Sequence, residues 1–206
     1  LRHPTIAFMK RIMAADSEPV VVNAARARLM SGMNRTPEES HLENRMLYPE
    51  SWQGWTEAER RAIAKFKKRF TPEWTPSDED FGDWHYMVVS PDESSPQEPR
   101  PVVVLIDAGC FSATDIFAAA LGELPNVTLV GQPTSGGSAR SQRHSIEALG
   151  IDVRLASMVS YQPNGKLYDT NGVAPDIAIE PKPSDLIGET DSVLEHAEAV
   201  LIDQTR

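Results

Sequence analysis

Apolar residues recur at helical spacing over 6–15 (Ile6, Met9 and Met13; Phe8 and Ile12), with Pro4 just upstream, where a first turn tolerates it. Asp16-Ser17-Glu18-Pro19 interrupts that spacing, and Val20-Val21-Val22 predicts a strand because β-branched side chains pack well on a pleated surface. Residues 32–80 read differently. Gly, Pro, Trp and charge are abundant there, with Trp52, Trp55 and Trp74 interspersed and one amphipathic helix expected near 56–70. This pattern predicts a Trp-rich, partly helical insertion or lid over the core, and its Trp residues are read as the lobe's own packing rather than a substrate grip. A strand over 84–89 and a polar, Pro-rich loop over 90–101 lead to the apolar run Val102-Val103-Val104-Leu105-Ile106. From there the pattern predicts a strand over 102–107, a helix over 114–122, a strand over 127–130 and a Gly-rich loop over 131–138. Strands around 144–148 and 151–160 follow, then turns at Asn164-Gly165 and Asn171-Gly172, a short strand over 175–179 and a last helix near 190–203. Strand, helix and strand in that order imply a parallel β-α-β unit. The fold class is therefore α/β, with a first helix and strand over 1–31, the insertion over 32–80 and a subdomain over 81–206.

Composition narrows the function. A chain of 206 residues with 40% hydrophobic positions can bury a sizeable core. Its 20 basic and 30 acidic side chains give a net charge of −10, which argues against a nucleic-acid partner. The one basic run, Lys65-Phe66-Lys67-Lys68-Arg69, falls where Glu57 and Arg61 are helix-spaced and reads as a solvated helical face. No apolar stretch approaches the roughly 18 residues of a membrane span, and no leader-type segment opens the sequence. A single Cys110 rules out an internal disulfide. Metal-ligand spacing is not found, so neither metal nor cofactor is expected.

The chemistry concentrates at Asp107-Ala108-Gly109-Cys110-Phe111-Ser112-Ala113-Thr114-Asp115, where an apolar strand meets a tight turn and then a strong helix former. Ser112 falls at the junction, beside free backbone N–H groups and the positive end of a helix dipole, a setting that can stabilise an oxyanion in acyl transfer. By spacing alone the first reading is that Ser112 or Thr114 caps the helix, with Asp115 favourable to the dipole.

The segment Gly109–Phe117 resembles the nucleophile segment of the tail-specific, or C-terminal-processing, serine peptidases (serine peptidase family forty-one). Val127-Thr128-Leu129-Val130-Gly131-Gln132-Pro133-Thr134-Ser135-Gly136-Gly137 is similar to that family's strand and Gly-rich loop, and Asn171-Gly172-Val173-Ala174-Pro175-Asp176-Ile177 to its closing strand. The resemblance implies a ClpP/crotonase-like layered β-α-β core, Ser112 as nucleophile and the N–H of Ala113 as one oxyanion donor. It places the second donor in a segment preceding Leu1, so the chain is expected to be the C-terminal portion of a longer protein and inactive by itself. Many relatives place a Lys base in the Gly-rich loop, where this sequence has Gly137 beside Gly136. The resemblance is then to the branch, including the tricorn core peptidase, with a Ser-His-acid arrangement whose His lies upstream. Asp169 carries over as the acid, and a turn aspartate bonding its own backbone is the competing reading.

Other candidates have no motif behind them. His144 is a possible substitute base on a strand, ahead of His3, His41, His85 and His196; Lys166 reads as a solvated turn tip and Cys110 as buried packing. The leading expectation is a serine endopeptidase acting on protein or peptide substrates, with an oligomer compatible with the sequence and a cell-envelope or secreted location implied by the resemblance alone. The alternatives are a non-catalytic binding module, as in retinoid-binding relatives of the eye, and more weakly a crotonase-like acyl-CoA enzyme.

Overall fold

The computed structural model describes residues 3–29, 42–92 and 98–205. The first helix, α1 (His3–Ile12), begins three residues before the expected start, because Pro4 occupies its first turn, where no intrahelical N–H bond is required. It buries Met9 and Ile12, with Met13 following.

Strand β1 (Val20–Ala27) runs five residues beyond the predicted Val triplet and is buried over nearly its whole length. It lies in the interior of a four-stranded antiparallel sheet with β2 (Tyr48–Pro49), β3 (His85–Val89) and β8 (Met158–Tyr161), in the order β2-β3-β1-β8. In a central strand, small side chains such as Ala24, Ala25 and Ala27 are favoured by close packing, whatever their intrinsic strand preference. The β1/β3 register shifts between Val21 and Asn23, so Val22 is the extra residue of a bulge.

Helix α2 (Glu57–Arg69) covers one face of this sheet, burying Ile63 and Phe66 against Val21, Ala24, Trp55 and Tyr86. Thr56 and Glu59 form a reciprocal capping box at its start, and Lys67, Lys68 and Arg69 complement the dipole at its end. Arg61, Lys65 and Lys67 of α2 are exposed and pair with Glu57, Glu18 and Glu50, in keeping with a solvated helical face. Tyr48, Trp52 and Trp55 pack ring on ring beside it, and Trp74, about half exposed, packs edge-on against Phe81. Residues 30 and 31 and the first part of the expected insertion, 32–41, lie outside the described residues.

The opposite face carries the main core and the β-α-β unit. Strand β4 (Val102–Ile106), helix α3 (Ala113–Gly122) and β5 (Val127–Gly131) follow in order, with β4 and β5 parallel and β9 (Ile177–Ala178) parallel to β5. The expected run 151–160 is not one strand. Strands β6 (Ser141–Ile146) and β7 (Ile151–Ala156) form a separate exposed hairpin, the chain breaks at Ser157, and β8 joins the antiparallel sheet. A short helix α4 (Pro183–Leu186) and a longer α5 (Ser192–Gln204), the latter against β4, close the chain.

Candidate active site

The turn after β4 is tightly fixed. The Asp107 carboxylate accepts the Gly109 N–H (2.8 Å) and the Asp107 carbonyl accepts the Cys110 N–H (3.0 Å). From the Gly-rich loop, Ser135 donates its N–H to the Cys110 carbonyl (2.9 Å) and its hydroxyl to the Ala108 carbonyl. Ser112 emerges with φ 62° and ψ −114°, a conformation that costs a non-Gly residue about 1–3 kcal/mol. It stands at the N-cap position of α3, yet its side chain makes no capping bond. Capping therefore does not explain this serine. Its hydroxyl is exposed, and the Ala113 N–H, at the first helical position, has no backbone acceptor among the described residues.

Behind Ser112 lies a cavity of about 130 Å³, with Ala113 and Ile116 of α3 on one side, Asn23, Met87, Met158 and Ser160 of the antiparallel sheet on another, and Arg45, Leu47 and Ser138 closing it. Gly136 and Gly137 sit next to this site. Gly136 (φ +72°) lies so close to Tyr168 that an added Cβ would meet its carbonyl oxygen at 2.4 Å. Gly137 (φ +115°) faces Phe111, whose ring an added Cβ would meet at 2.3 Å. A lysine there meets both steric and backbone opposition. Gly137→Lys is expected to cost about 1–3 kcal/mol in urea unfolding and to produce no gain in hydrolysis.

The most consequential residue that the sequence left unassigned is Asp115, fully buried on α3. Its Oδ1 accepts the Thr134 hydroxyl (2.5 Å) and the Gly136 N–H (3.0 Å), while Thr134 Oγ1 accepts the Val173 N–H (2.7 Å). One carboxylate thus ties together the helix behind Ser112, the Gly-rich loop and the closing Asn171-Gly172-Val173 turn. The available signal was a charge at a position spaced for burial with Ala118 and Ala119 on α3.

Asp169 is half-buried, and its Oδ1 accepts the Ala139 N–H at 3.3 Å, one residue beyond Ser138. Burial pushes its carboxyl above the usual range; the amides of Ala139 and of Asp169 itself partly offset this, and Asp115 adds repulsion. With its folded value raised, this group's contribution to stability is complete below the ordinary aspartate range and is lost as pH rises through the folded value. Asp169→Asn keeps the acceptor and removes the titration, so its melting temperature should decline less between pH 4 and pH 7 than that of the parent.

The remaining candidates lie elsewhere. His144 is exposed on β6, Lys166 is exposed in its turn, and His196 is exposed on α5. His85 is buried in β3 with Nδ1 against the Asp83 carbonyl (2.9 Å), and Cys110 is half-buried against the main core. None of these three histidines lines the cavity, and Cys110 does not line it either. His41 and the side chain of His3 fall outside the described residues.

Known proteins resemble this chain in sequence and in fold. The family model for peptidase family S41 matches residues 22–179. A carboxy-terminal-processing protease of Bartonella bacilliformis is 32% identical over 85 residues, covering 40% of this chain and 19% of that protein. Among solved structures, a candidate peptidase from Parabacteroides merdae aligns with a TM-score of 0.61 at 19% identity, covering 96% of this chain and 46% of its own. Mature CPAF in complex with lactacystin aligns at 0.59 with 18% identity, over 96% of this chain and 40% of its own. The chain belongs to peptidase family S41 and shares the fold of these structures. It spans less than half the length of each of these relatives.

Proposed function

We propose that this chain supplies the nucleophile of a serine endopeptidase that cleaves protein or peptide substrates, with Ser112 forming the acyl-enzyme. The observation that carries this reading is the conformation of Ser112: a strained backbone and a hydroxyl free of capping, beside the unengaged N–H of Ala113. In the reaction the Ser112 hydroxyl attacks a peptide carbonyl and passes its proton to a base, while the Ala113 N–H stabilises the developing oxyanion. The base is a histidine from outside these 206 residues. In support of this, neither His85, His144 nor His196 lines the cavity at Ser112, and the expected loop Lys is replaced by Gly137. Asp169 acts as the acid that orients that imidazole. This assigns the protein to the Ser-His-acid branch, with C-terminal processing as its work.

That no His or Lys among the described residues lines the cavity at Ser112 also motivates the second reading, a binding module that keeps the fold without turnover. A fluorophosphonate probe decides between them. Covalent labelling of the full-length protein at Ser112, lost in Ser112→Ala, is the expected result; no labelling of the folded protein sinks the peptidase reading in favour of the binder.

A further inference from the structure

We propose that the cavity behind Ser112 is a specificity pocket for an acidic side chain, its carboxylate held by Arg45, the Asn23 carboxamide and the Ser138 hydroxyl. The inference rests on Ser112 being the nucleophile. The Ala113 N–H at the rim would hold the carbonyl under attack, so the side chain of that same residue is the one within reach of the cavity.

Two buried polar atoms in the wall have no partner among the described residues: Asn23 Nδ2, on a residue 1% exposed, and Ser138 Oγ, on a residue 2% exposed. Buried donors without acceptors are expensive to keep, so an unmet pair in one cavity calls for an occupant. The orientation of Asn23 is built in. The bulge at Val22 turns Asn23 toward the core side that Val22 also faces, and its Oδ1 accepts the Ser160 hydroxyl at 2.9 Å, leaving the N–H groups toward the cavity.

Arg45 adds charge. It is half-buried and donates to the Ser138 carbonyl at 3.2 Å, and no carboxylate among the described residues pairs with it. Burial, and after it the neighbouring Arg140, push its guanidinium below the usual value. In a chain of net charge −10, the described residues that wall this cavity include no Asp or Glu. The polar wall is therefore rich in donors. A carboxylate is acceptor-only and can meet an amide N–H, a hydroxyl and a guanidinium together, whereas a carboxamide would turn its own NH₂ toward donors. At about 130 Å³ the space is below the roughly 300 Å³ at which small-molecule sites begin, so it suits one side chain. Leu47, Met87 and Met158 would line the aliphatic stem.

The test needs no turnover. In the full-length Ser112→Ala protein, fluorescein-labelled peptides identical except for a C-terminal Glu, Gln or Met amide are titrated by anisotropy. The Glu peptide should bind about tenfold or more tightly than the other two. Arg45→Gln and Ser138→Ala, each added to Ser112→Ala, should close most of that gap and leave the Met peptide unaffected. Because the Ser138 hydroxyl has no partner in the fold, Ser138→Ala should also keep its melting temperature, which separates lost recognition from lost structure. Equal binding of all three peptides, as from a cavity filled only by water, would overturn the proposal, as would tightest binding of Met or Gln. Such a failure is distinct from failure of the peptidase reading, which fluorophosphonate labelling of the unsubstituted protein reports separately.

Discussion

Ser112→Ala in the full-length protein is expected to lower kcat/KM for peptide hydrolysis by about 10⁴- to 10⁶-fold, the range typical of a lost serine nucleophile. Its folding should be untouched. The hydroxyl of Ser112 is exposed and caps nothing, so removing it takes no bond from the native state. A companion variant separates chemistry from architecture. At φ 62° a glycine is relieved of the strain that any Cβ imposes, so Ser112→Gly should stabilise the fold by about 1 kcal/mol while abolishing activity. A position where the inactive residue is the more stable one is the pattern expected when catalysis, rather than folding, holds the side chain in place. If Ser112→Ala cleaved peptides at the parental rate, or if Ser112→Gly unfolded more readily than the parent, Ser112 would be a structural residue and the proposed mechanism would fail.

Reading Ser112 as a nucleophile took the family resemblance, since spacing alone favours a helix cap; the strand-to-helix junction that carries it was legible because an apolar run, a turn and a helical pattern are contiguous over 102–122, which local propensity and periodicity report directly. The same holds for the parallel pairing of β4 with β5 around α3. What the sequence could not convey depends on partners distant along the chain. Asn23-Ala24-Ala25-Arg26-Ala27 has little strand character, and it is the flanking β3 and β8 that hold it extended. Arg26 in that strand is buried because its guanidinium is consumed by the carbonyls of Pro76, Phe81 and Gly82, which are invisible to any local pattern. The run 151–160 has no internal signal that Ser157 separates an exposed hairpin from a buried sheet. Asn23 and Arg45 acquire meaning only once folding brings them to one cavity with Ser112. Asp115 is the sharpest case: as sequence it is a dipole-compatible first-turn acid, and as structure it is the fastening between three motifs.

That fastening should be among the most costly in the molecule to cut. Asp115→Ala removes the acceptor shared by the Thr134 hydroxyl and the Gly136 N–H, leaving both groups interior with no replacement, and is expected to cost about 3 kcal/mol in urea unfolding. Asp115→Asn keeps an oxygen in place for both donors. Since Oδ2 has no partner to begin with, exchanging it for NH₂ should cost less, about 1 kcal/mol. The ordering Ala well below Asn identifies the shared oxygen, rather than the negative charge, as the stabilising element; equal losses would assign the effect to charge. Activity should fall further than stability accounts for. Gly136 is pressed against the Tyr168 carbonyl and Gly172 against that of Thr134, so the loop has no room to find a second resting position without leaving its contacts. Once Asp115 no longer holds α3 to that loop, the strained Ser112 at the head of α3 loses its registration with the cavity, and misplacement on the scale of 1 Å can cost about 100-fold in rate. A stably folded Asp115→Asn with near-parental kcat, beside an Asp115→Ala whose surviving folded fraction turns over about 100-fold more slowly, is the outcome this arrangement demands.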